Sequence, residues 1–278
     1  MAPVTRFAPS PTGLLHLGHA YSALVASRLG NGYVLRIDDI DHTRCRPAFT
    51  EQIYRDLDFL GLPWRGKPVF QSRRLAAYGD ALASLQARDL VYPCYLTRAE
   101  LAEVLTAPQE APIATDTTIS AAEASRRADR GMAPAWRLRT ARALDLVGEV
   151  TWMDLRTGRK RPVDMTAHGD VVLARRDIGT SYHLSVVVDD SLDGITLVTR
   201  GADLAESTHV HRLLQALLDL PSPAYFHHDL VRDAAGSRLA KRNDAKSIRQ
   251  LSDEGQSAAD IVASLPTITE SLPIEGDF

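Results

Sequence analysis

The first 37 residues constrain the fold of this chain more than any other stretch. A short strand pattern covers residues 4–7, and a loop rich in proline and glycine follows it. Apolar residues at helical spacing then predict a helix over residues 17–29, and a second strand pattern covers 33–37. Two strands joined through a helix run parallel, so this opening predicts a parallel sheet with covering helices.

The same alternation returns twice. Apolar positions at helical spacing predict helices near residues 50–60 and 75–85, and the pattern resumes after residue 177. There, a helix-like run at Ser181–Asp189 precedes a strand at Ile195–Thr199, a helix around residues 210–217 and a strand from Tyr225. The sequence therefore predicts an α/β fold.

The middle of the chain breaks this rhythm. Thr97 with Glu100, and Ser120 with Glu123, have the spacing of capping boxes, and short strand-like runs follow them. We interpret this part as an α+β insertion into the parallel-sheet domain. The predicted domains are a first half of the sheet domain (1–94), the insertion (95–176), a second half (177–235), and a polar loop with a helical C-terminal segment (236–278).

Composition excludes several classes of protein. The two cysteines, Cys45 and Cys94, rule out a disulfide framework and favour a reducing compartment. No apolar run approaches the ~18 residues of a membrane span, and residues 1–7 do not resemble a signal peptide. We therefore expect a cytoplasmic protein that does not enter a membrane.

Charge is unevenly distributed on a chain whose formal net charge is -3. Residues 121–176 hold 12 Lys and Arg against 7 Asp and Glu, a local excess of five positive charges (12 − 7). A second basic cluster covers residues 232–249. Such faces fit a polyanionic partner, although on charge alone an ordinary solvated surface is the favoured explanation.

The loop and helix start after the first strand carry the first motif, Arg6 to His19. His16 and His19 are spaced so that both lie on one side of the first helical turn. Backbone N–H groups and the helix dipole at such a turn favour a phosphate, and the two imidazoles can donate hydrogen bonds to it. Gly18 between them allows close approach of a nucleotide. Chance, or a small-molecule nucleotidyltransferase, would also explain a bare His-x-Gly-His.

A second motif, residues 238–242 (Arg-Leu-Ala-Lys-Arg), lies in a polar loop after a predicted strand. A lysine on such a loop can neutralise the β- and γ-phosphates of ATP in a transition state. Basic surface loops are common, so the five residues alone are weak support.

Two further positions suit a small zwitterion. Asp38 lies at the carboxyl end of the second predicted strand, where ligands bind to such sheets. Arg200 follows another predicted strand, and a guanidinium there can grip a carboxylate in a bidentate pair. The alternative interpretation of Arg200 is an ion pair with Asp203 or Glu206.

Together these motifs resemble the signatures of class I aminoacyl-tRNA synthetases, and residues 6–19 resemble those of glutamyl-tRNA synthetases in particular. The resemblance covers residues 5 to about 245 and implies a Rossmann-type catalytic domain. It implies catalytic roles for His16, His19 and Lys241. It implies ATP-binding roles for His16, Gly18, His19, Arg238, Leu239 and Lys241. It implies a glutamate site built from Arg6, Phe7, Ala8, Pro9, Ser10, Asp38, Tyr182 and Arg200.

The chain departs from the family pattern at informative places. Asp38 stands where the family has a glutamate that holds the substrate amino group, so a bridging water or a different amino acid is implied. Members often carry a zinc site in the insertion, but only Cys94 of its ligands is present. We therefore predict no structural zinc, a buried Cys94 and a small apolar core that includes Tyr95 and Leu96.

Only 36 residues follow Arg242, which leaves no room in this sequence for the anticodon-reading domains of a glutamyl-tRNA synthetase. The chain resembles the short glutamyl-queuosine tRNA(Asp) synthetases, and its Arg44–Pro47 and Val187–Asp190 runs fit them. The resemblance implies that ATP with Mg²⁺ activates glutamate and that the queuosine base of tRNA(Asp) accepts it. The partner is then an anticodon stem-loop, and the enzyme is expected to be a monomer.

Three alternatives remain at this point. The chain is a related ligase with another amino acid or acceptor, a nucleotidyltransferase that makes a dinucleotide, or a tRNA-binding paralogue without catalysis. The last would bind nucleotide without pyrophosphate exchange. Under the synthetase interpretation, Lys241→Ala lowers the rate of adenylate formation far more than it weakens ATP binding.

Overall fold

The computed structural model describes residues 2–97, Glu100, 119–231 and 246–268. Its strands are β1 (Thr5–Phe7), β2 (Tyr33–Ile37), β3 (Arg65–Phe70), β4 (Val91–Cys94), β5 (Ala135–Leu138), β6 (Thr151–Asp154), β7 (Arg159–Pro162), β8 (Val172–Ala174), β9 (Leu197–Gly201) and β10 (Ala224–His228). Its α-helices are α1 (Leu17–Leu29), α2 (Pro47–Phe59), α3 (Leu75–Ala87), α4 (Ala121–Asp129), α5 (Thr140–Val147), α6 (Tyr182–Leu192), α7 (Ser207–Leu217), α8 (Ile248–Asp253) and α9 (Ala258–Ala263).

Parallel strands form the centre of the molecule. β1 pairs with β2, β2 with β3, β9 with β10 and β10 with β6, all in parallel. The two groups meet where the backbone N–H groups of Thr196 and Leu197 donate to the carbonyl oxygen of Val4, at 3.0 and 3.1 Å. These bonds connect β1 to the start of β9, and the Rossmann-type α/β prediction is confirmed.

Helix α1 forms where the sequence predicts it. Its predicted apolar stripe, Ala20, Leu24 and Val25, is buried in the core beneath β1 and β2. Gly30 ends the helix, and its N–H donates to the carbonyl oxygen of Ala26. The next helix, α2, begins earlier than its pattern suggests.

The spacing of the apolar residues predicts a start of α2 near Thr50, and that start is wrong. The helix begins with Pro47 after Arg46 at the N-cap, because proline has no N–H to lose at a first helical turn and its φ is already helical. Gly61 follows the helix with φ at 66°, a conformation that favours glycine.

The middle of the chain contributes to two sheets. β5 pairs antiparallel with β4 and β8, which gives a small separate sheet. β6, which lies within the range predicted as an insertion, instead pairs parallel with β10, and β7 covers its outer edge in antiparallel orientation. The side chain of Trp152 explains this placement, because it is buried against Ile195, Val198 and Tyr225 beneath the central sheet.

The two predicted caps of the middle region form. The Thr97 N–H donates to the Glu100 carboxylate at 2.7 Å, and the Glu100 N–H donates to Thr97 Oγ1 at 3.2 Å. The Ser120 hydroxyl accepts from the Glu123 N–H at the start of α4. Local sequence therefore determines both of these capping contacts.

The C-terminal helical segment is two short helices rather than one. The Ser247 side chain accepts from the Gln250 N–H at the start of α8, and Gly255, at φ 86°, separates α8 from α9. Within the described ranges, no helix is long and apolar enough to cross a membrane.

Candidate active site

A cleft of about 550 Å³ opens at the carboxyl ends of β1, β2 and β9. Eleven predicted site residues lie in the described part of the chain, and all of them line this one cleft: Arg6, Phe7, Ala8, Pro9, Ser10, His16, Gly18, His19, Asp38, Tyr182 and Arg200. The chain brings them together from four separate segments, because the strands that carry them end at the same edge of the sheet.

The predicted ATP-binding residues Arg238, Leu239 and Lys241 lie outside the described residues. The described residues on either side of that segment are close to the cleft. Val231 lines it, and Ser247 forms a β-bridge with His16. The Ile248 N–H also donates to the carbonyl oxygen of Leu15 at 2.9 Å.

His16 and His19 cap helix α1 reciprocally. His16 Nδ1 accepts from the Gly18 N–H at 3.1 Å, and His19 Nδ1 accepts from the His16 N–H at 3.2 Å. Each neutral ring must then carry its proton on Nε2, because Nδ1 is an acceptor in both. The two rings lie 3.9 Å apart between centroids, so both Nε2–H groups are held at one helix N-terminus.

Gly18 lies close to the His16 ring. A Cβ atom at this position would lie 3.0 Å from His16 Cε1, closer than side chains normally approach. A larger residue would therefore require the His16 ring to shift by a few tenths of an ångström. The geometry gives Gly18 a role in positioning His16, in addition to the predicted close approach of a nucleotide.

Opposite charges alternate under the floor of the cleft. Arg36 is fully buried, and its guanidinium donates to Asp38 at 2.8 Å and to Asp190 at 2.6 Å. Asp190 also accepts from Arg6 Nε at 3.1 Å, and Arg6 Nη1 donates to the Thr199 carbonyl oxygen at 3.0 Å. Two cations and two anions thus compensate each other in the interior.

The adjacent carboxylate, Asp189, lies 3.6 Å from the same Arg36 guanidinium and has a further set of hydrogen-bond donors. It accepts from Gln71 at 2.7 Å, Arg74 at 3.0 Å and the Tyr78 hydroxyl at 2.8 Å. Burial would raise the pKa of Asp190, but Arg6 and Arg36 outweigh burial and hold that pKa below its usual value. Asp190 is therefore an ionised structural anion, and Asp189 is held by buried hydrogen bonds beside it.

The Asp38 carboxyl accepts a hydrogen bond from Arg36 and also lines the cleft. Burial raises the pKa of its carboxyl to about 6, even though Arg36 pulls the pKa down. About a tenth of its side chain is exposed. A carboxylate in this setting gains from a positively charged ligand, because such a ligand offsets the cost of burying the negative charge.

Arg200 has a different environment. It is 5% exposed, and its Nε donates to His227 at 3.3 Å while its Nη2 donates to Thr208 at 2.7 Å. Its Nη1 contacts His211 Nδ1 at 3.0 Å and the Tyr182 hydroxyl at 3.5 Å. Every described hydrogen-bond partner of this guanidinium is a neutral group.

The alternative ion pair of Arg200 with Asp203 or Glu206 is wrong for the described residues, where Arg200 forms no ion pair. Burial, reinforced by Arg200, lowers the pKa of His227 to about 3 and that of His211 well below its ordinary value. Both imidazoles are therefore neutral at physiological pH. The Arg200 guanidinium lies over the Tyr225 ring, 5.4 Å from its centroid, but no carboxylate among the described residues compensates its positive charge at the wall of the cleft.

Sequence reasoning missed the residues that hold the site. Arg36 and Asp190 appear in the sequence only as parts of motifs, and Thr208, His211 and His227 carry no motif. One sequence feature could have identified some of them. Thr208, His211 and Gln215 have the helical spacing that places them on the same buried face of α7 as its apolar residues. Polar side chains on a buried helical face usually have specific partners.

The small sheet holds the predicted thiol. Cys94 is buried in an apolar cluster with Tyr92 and Leu96, as predicted, whereas Tyr95 is not part of that cluster. Among the described residues, no group of three or more His, Cys, Asp or Glu side chains is arranged to hold a metal ion. The absence of a structural zinc stays a prediction.

Comparison with known proteins places these features in one family. Residues 3–268 match the family model of the class I tRNA synthetases (E and Q), catalytic domain. The chain is 46% identical over 274 residues to the glutamyl-Q tRNA(Asp) synthetase of Rhodobacter capsulatus, covering 93% of this chain and 98% of that protein. It is 43% identical over 253 residues to the glutamyl-Q tRNA(Asp) synthetase of Leptothrix cholodnii, covering 86% and 82%.

A solved structure agrees. The fold is similar to that of a glutamate tRNA ligase from Elizabethkingia meningosepticum in complex with its amino acid, with a TM-score of 0.70 and 25% sequence identity. The match covers 92% of this chain and 54% of that one, so this chain spans about half the length of that ligase.

Proposed function

Because the chain belongs to the class I tRNA synthetases of the glutamate and glutamine type, we propose that it activates glutamate with ATP and transfers it to the queuosine base of tRNA(Asp). The observation that carries the amino-acid assignment is Arg200, a buried cation with only neutral described partners at the wall of the cleft. The acceptor assignment is supported by the relatives named above, one of which is matched over 98% of its length.

The cleft suits the two ends of glutamate differently. Arg200 offers donors to the side-chain carboxylate, and Tyr182 packs beside it. Asp38 offers an anion to the amino group, directly or through a water that makes up for its short side chain. Arg6 has Nε and Nη1 committed to Asp190 and Thr199, which leaves Nη2 for the substrate. An amide in place of the side-chain carboxylate would leave the Arg200 charge unpaired.

The first step is adenylate formation. An oxygen of the glutamate α-carboxylate attacks the α-phosphorus of ATP, which enters as Mg-ATP, and the bond from that phosphorus to the bridging oxygen of pyrophosphate breaks. The Nε2–H groups of His16 and His19 donate to phosphate oxygens as negative charge builds there. Lys241 is the predicted partner of the β- and γ-phosphates.

The second step transfers the glutamyl group. A hydroxyl of the queuosine cyclopentenediol attacks the activated carbonyl carbon, AMP leaves, and the hydroxyl proton is released. The chain supplies position and charge, because the phosphate-linked leaving group is already activated. The basic residues between 121 and 176 are suited to the phosphates of an anticodon stem-loop, which RNA-binding proteins recognise by shape and backbone.

The test is transfer of labelled glutamate onto tRNA prepared with and without queuosine. We expect label only on the queuosine-containing preparation, and dependence on ATP. Label on both preparations would show that the acceptor is not queuosine. Label on neither, with intact pyrophosphate exchange, would keep the amino-acid assignment and remove the acceptor.

A further inference from the structure

Arg200 depends on a residue that has no assigned role. We propose that His211 is a positioning residue that holds the Arg200 guanidinium for the substrate's side-chain carboxylate and, because it is uncharged, leaves the charge of Arg200 to the substrate. The inference rests on the proposed function of Arg200 in binding glutamate. It adds a second residue, outside the sequence motifs, to the determinants of glutamate specificity.

The geometry fixes the protonation of His211. Arg200 can only donate, so His211 Nδ1, 3.0 Å from Arg200 Nη1, must accept. The ring proton of His211 then sits on Nε2, which lies 3.1 Å from His183 Nδ1 and donates to it. His211 is 2% exposed, so these two contacts use both ring nitrogens in the interior.

Three neutral acceptors hold three nitrogens of the same guanidinium. His227 accepts from Nε, Thr208 from Nη2 and His211 from Nη1. The contact of Nη1 with the Tyr182 hydroxyl is long, at 3.5 Å, so one N–H of Nη1 and one of Nη2 remain for a ligand. His211 and Thr208 therefore fix the edge of the guanidinium that a carboxylate would meet in a bidentate pair.

Charge explains why a neutral acceptor occupies position 211. A carboxylate there would bind Arg200 more strongly, but it would also neutralise the guanidinium and compete with the substrate. An imidazole holds the same nitrogen without supplying a negative charge. Burial is the larger cause, and the charge of Arg200 a smaller one, that keeps the pKa of His211 well below its ordinary value. The ring therefore stays neutral while the substrate binds.

Three substitutions separate these contributions. His211→Asn keeps an acceptor near the place of Nδ1, His211→Leu removes the acceptor at similar volume, and His211→Asp supplies a competing negative charge. His209→Asn is the matched control, because His209 lies on the same helix and accepts from the Asp164 N–H at 2.9 Å without contacting Arg200. The readouts are KM and kcat for glutamate in pyrophosphate exchange and the preference for glutamate over glutamine.

We expect His211→Leu to raise KM for glutamate about 10- to 100-fold, the cost of a hydrogen bond to a charged group, with kcat within a few-fold. His211→Asp should raise KM at least as much and lower the preference for glutamate. His211→Asn and the control should stay within about threefold of the unaltered protein. Thermal unfolding in parallel shows whether each variant is folded.

Two results would overturn the inference. One is a folded His211→Leu or His211→Asp protein whose KM and glutamate preference match those of the His209→Asn control. The other is Arg200→Ala retaining its preference for glutamate, which would remove the subsite and His211 with it. If Arg200→Ala loses the preference while His211→Leu keeps it, only the role of His211 fails and the proposed function stands.

Discussion

Three buried arginines lie against the same cleft, and they differ in whether the protein supplies a carboxylate to compensate their charge. Arg6 and Arg36 are matched by Asp38 and Asp190, so their charges are compensated within the protein. Arg200 is just as buried, but its described partners are two imidazoles, a threonine and a tyrosine. A buried charge is costly unless it is paired. The ion pairs of Arg6 and Arg36 therefore stabilise the fold, whereas the charge of Arg200 can be compensated by the carboxylate of a ligand.

The largest effect is expected when Arg200, the arginine without a described carboxylate partner, is replaced. Replacing Arg200 with alanine should lower kcat/KM for glutamate roughly 10³-fold and abolish the preference over glutamine, because a buried charge-assisted pair is lost. Amino-acid-dependent pyrophosphate exchange measures both quantities. Arg200→Lys serves as the control for charge, since lysine keeps the charge without the planar pair of donors. Retained discrimination in Arg200→Ala would remove Arg200 from the side-chain subsite.

A second prediction compares the stability of the two groups. Asp190→Asn leaves Arg6 and Arg36 short of one negative charge and should lower the free energy of unfolding by about 3–5 kcal/mol. Arg200→Met removes a charge that no described carboxylate partners, although it leaves the acceptors on His211 and His227 without this donor. The free energy of unfolding should therefore fall by less than it does in Asp190→Asn.

Denaturant unfolding of both variants beside the unaltered protein gives these differences. Equal destabilisation by the two substitutions would contradict the distinction between a compensated and an uncompensated group.

The third prediction concerns pH. The pKa of Asp38 is raised to about 6, so its carboxyl is charged above that pH and neutral below it. Attraction for the substrate amino group should be lost as the pH falls, and KM for glutamate should rise roughly tenfold between pH 7 and pH 5. Asp38→Asn should have a higher KM at pH 7 and no such inflection. The same inflection in Asp38→Asn would assign the titration to another group.

The smallest effect is expected for Asp38→Glu. The longer side chain can replace a water that bridges Asp38 to the substrate amino group, and such bridging contacts are nearly as favourable as direct ones. KM for glutamate should therefore change by less than about threefold. A change of more than tenfold in either direction would show that the pocket is built around the shorter carboxylate.

Sequence patterns predicted much of the frame. The opening β1–α1–β2 unit follows from apolar periodicity and glycine placement, and the capping contacts at Thr97 and Ser120 follow from the local sequence. Residues 151–154 are different. Their pattern predicts a strand, but only the burial of Trp152 against Tyr225 decides that the strand joins the central sheet.

In the candidate site, too, some residues could be predicted from the sequence and others could not. Its motif residues could be read from the sequence because each sits beside a strand end or helix start. Their partners could not, since Arg36 and Asp190 are separated by 154 positions and Arg6 and Asp190 by 184. No local sequence pattern predicts which arginine forms an ion pair with a carboxylate in the folded protein. The contrast between Arg200 and the other two arginines appears only after the chain is folded.

The central claim is that the uncompensated cation selects glutamate. The most direct measurement is pyrophosphate exchange by the unaltered protein with glutamate and with glutamine, in the presence of queuosine-containing tRNA. We predict exchange with glutamate and exchange at least a hundredfold slower with glutamine at equal concentrations. Equal rates with the two amino acids would contradict the claim.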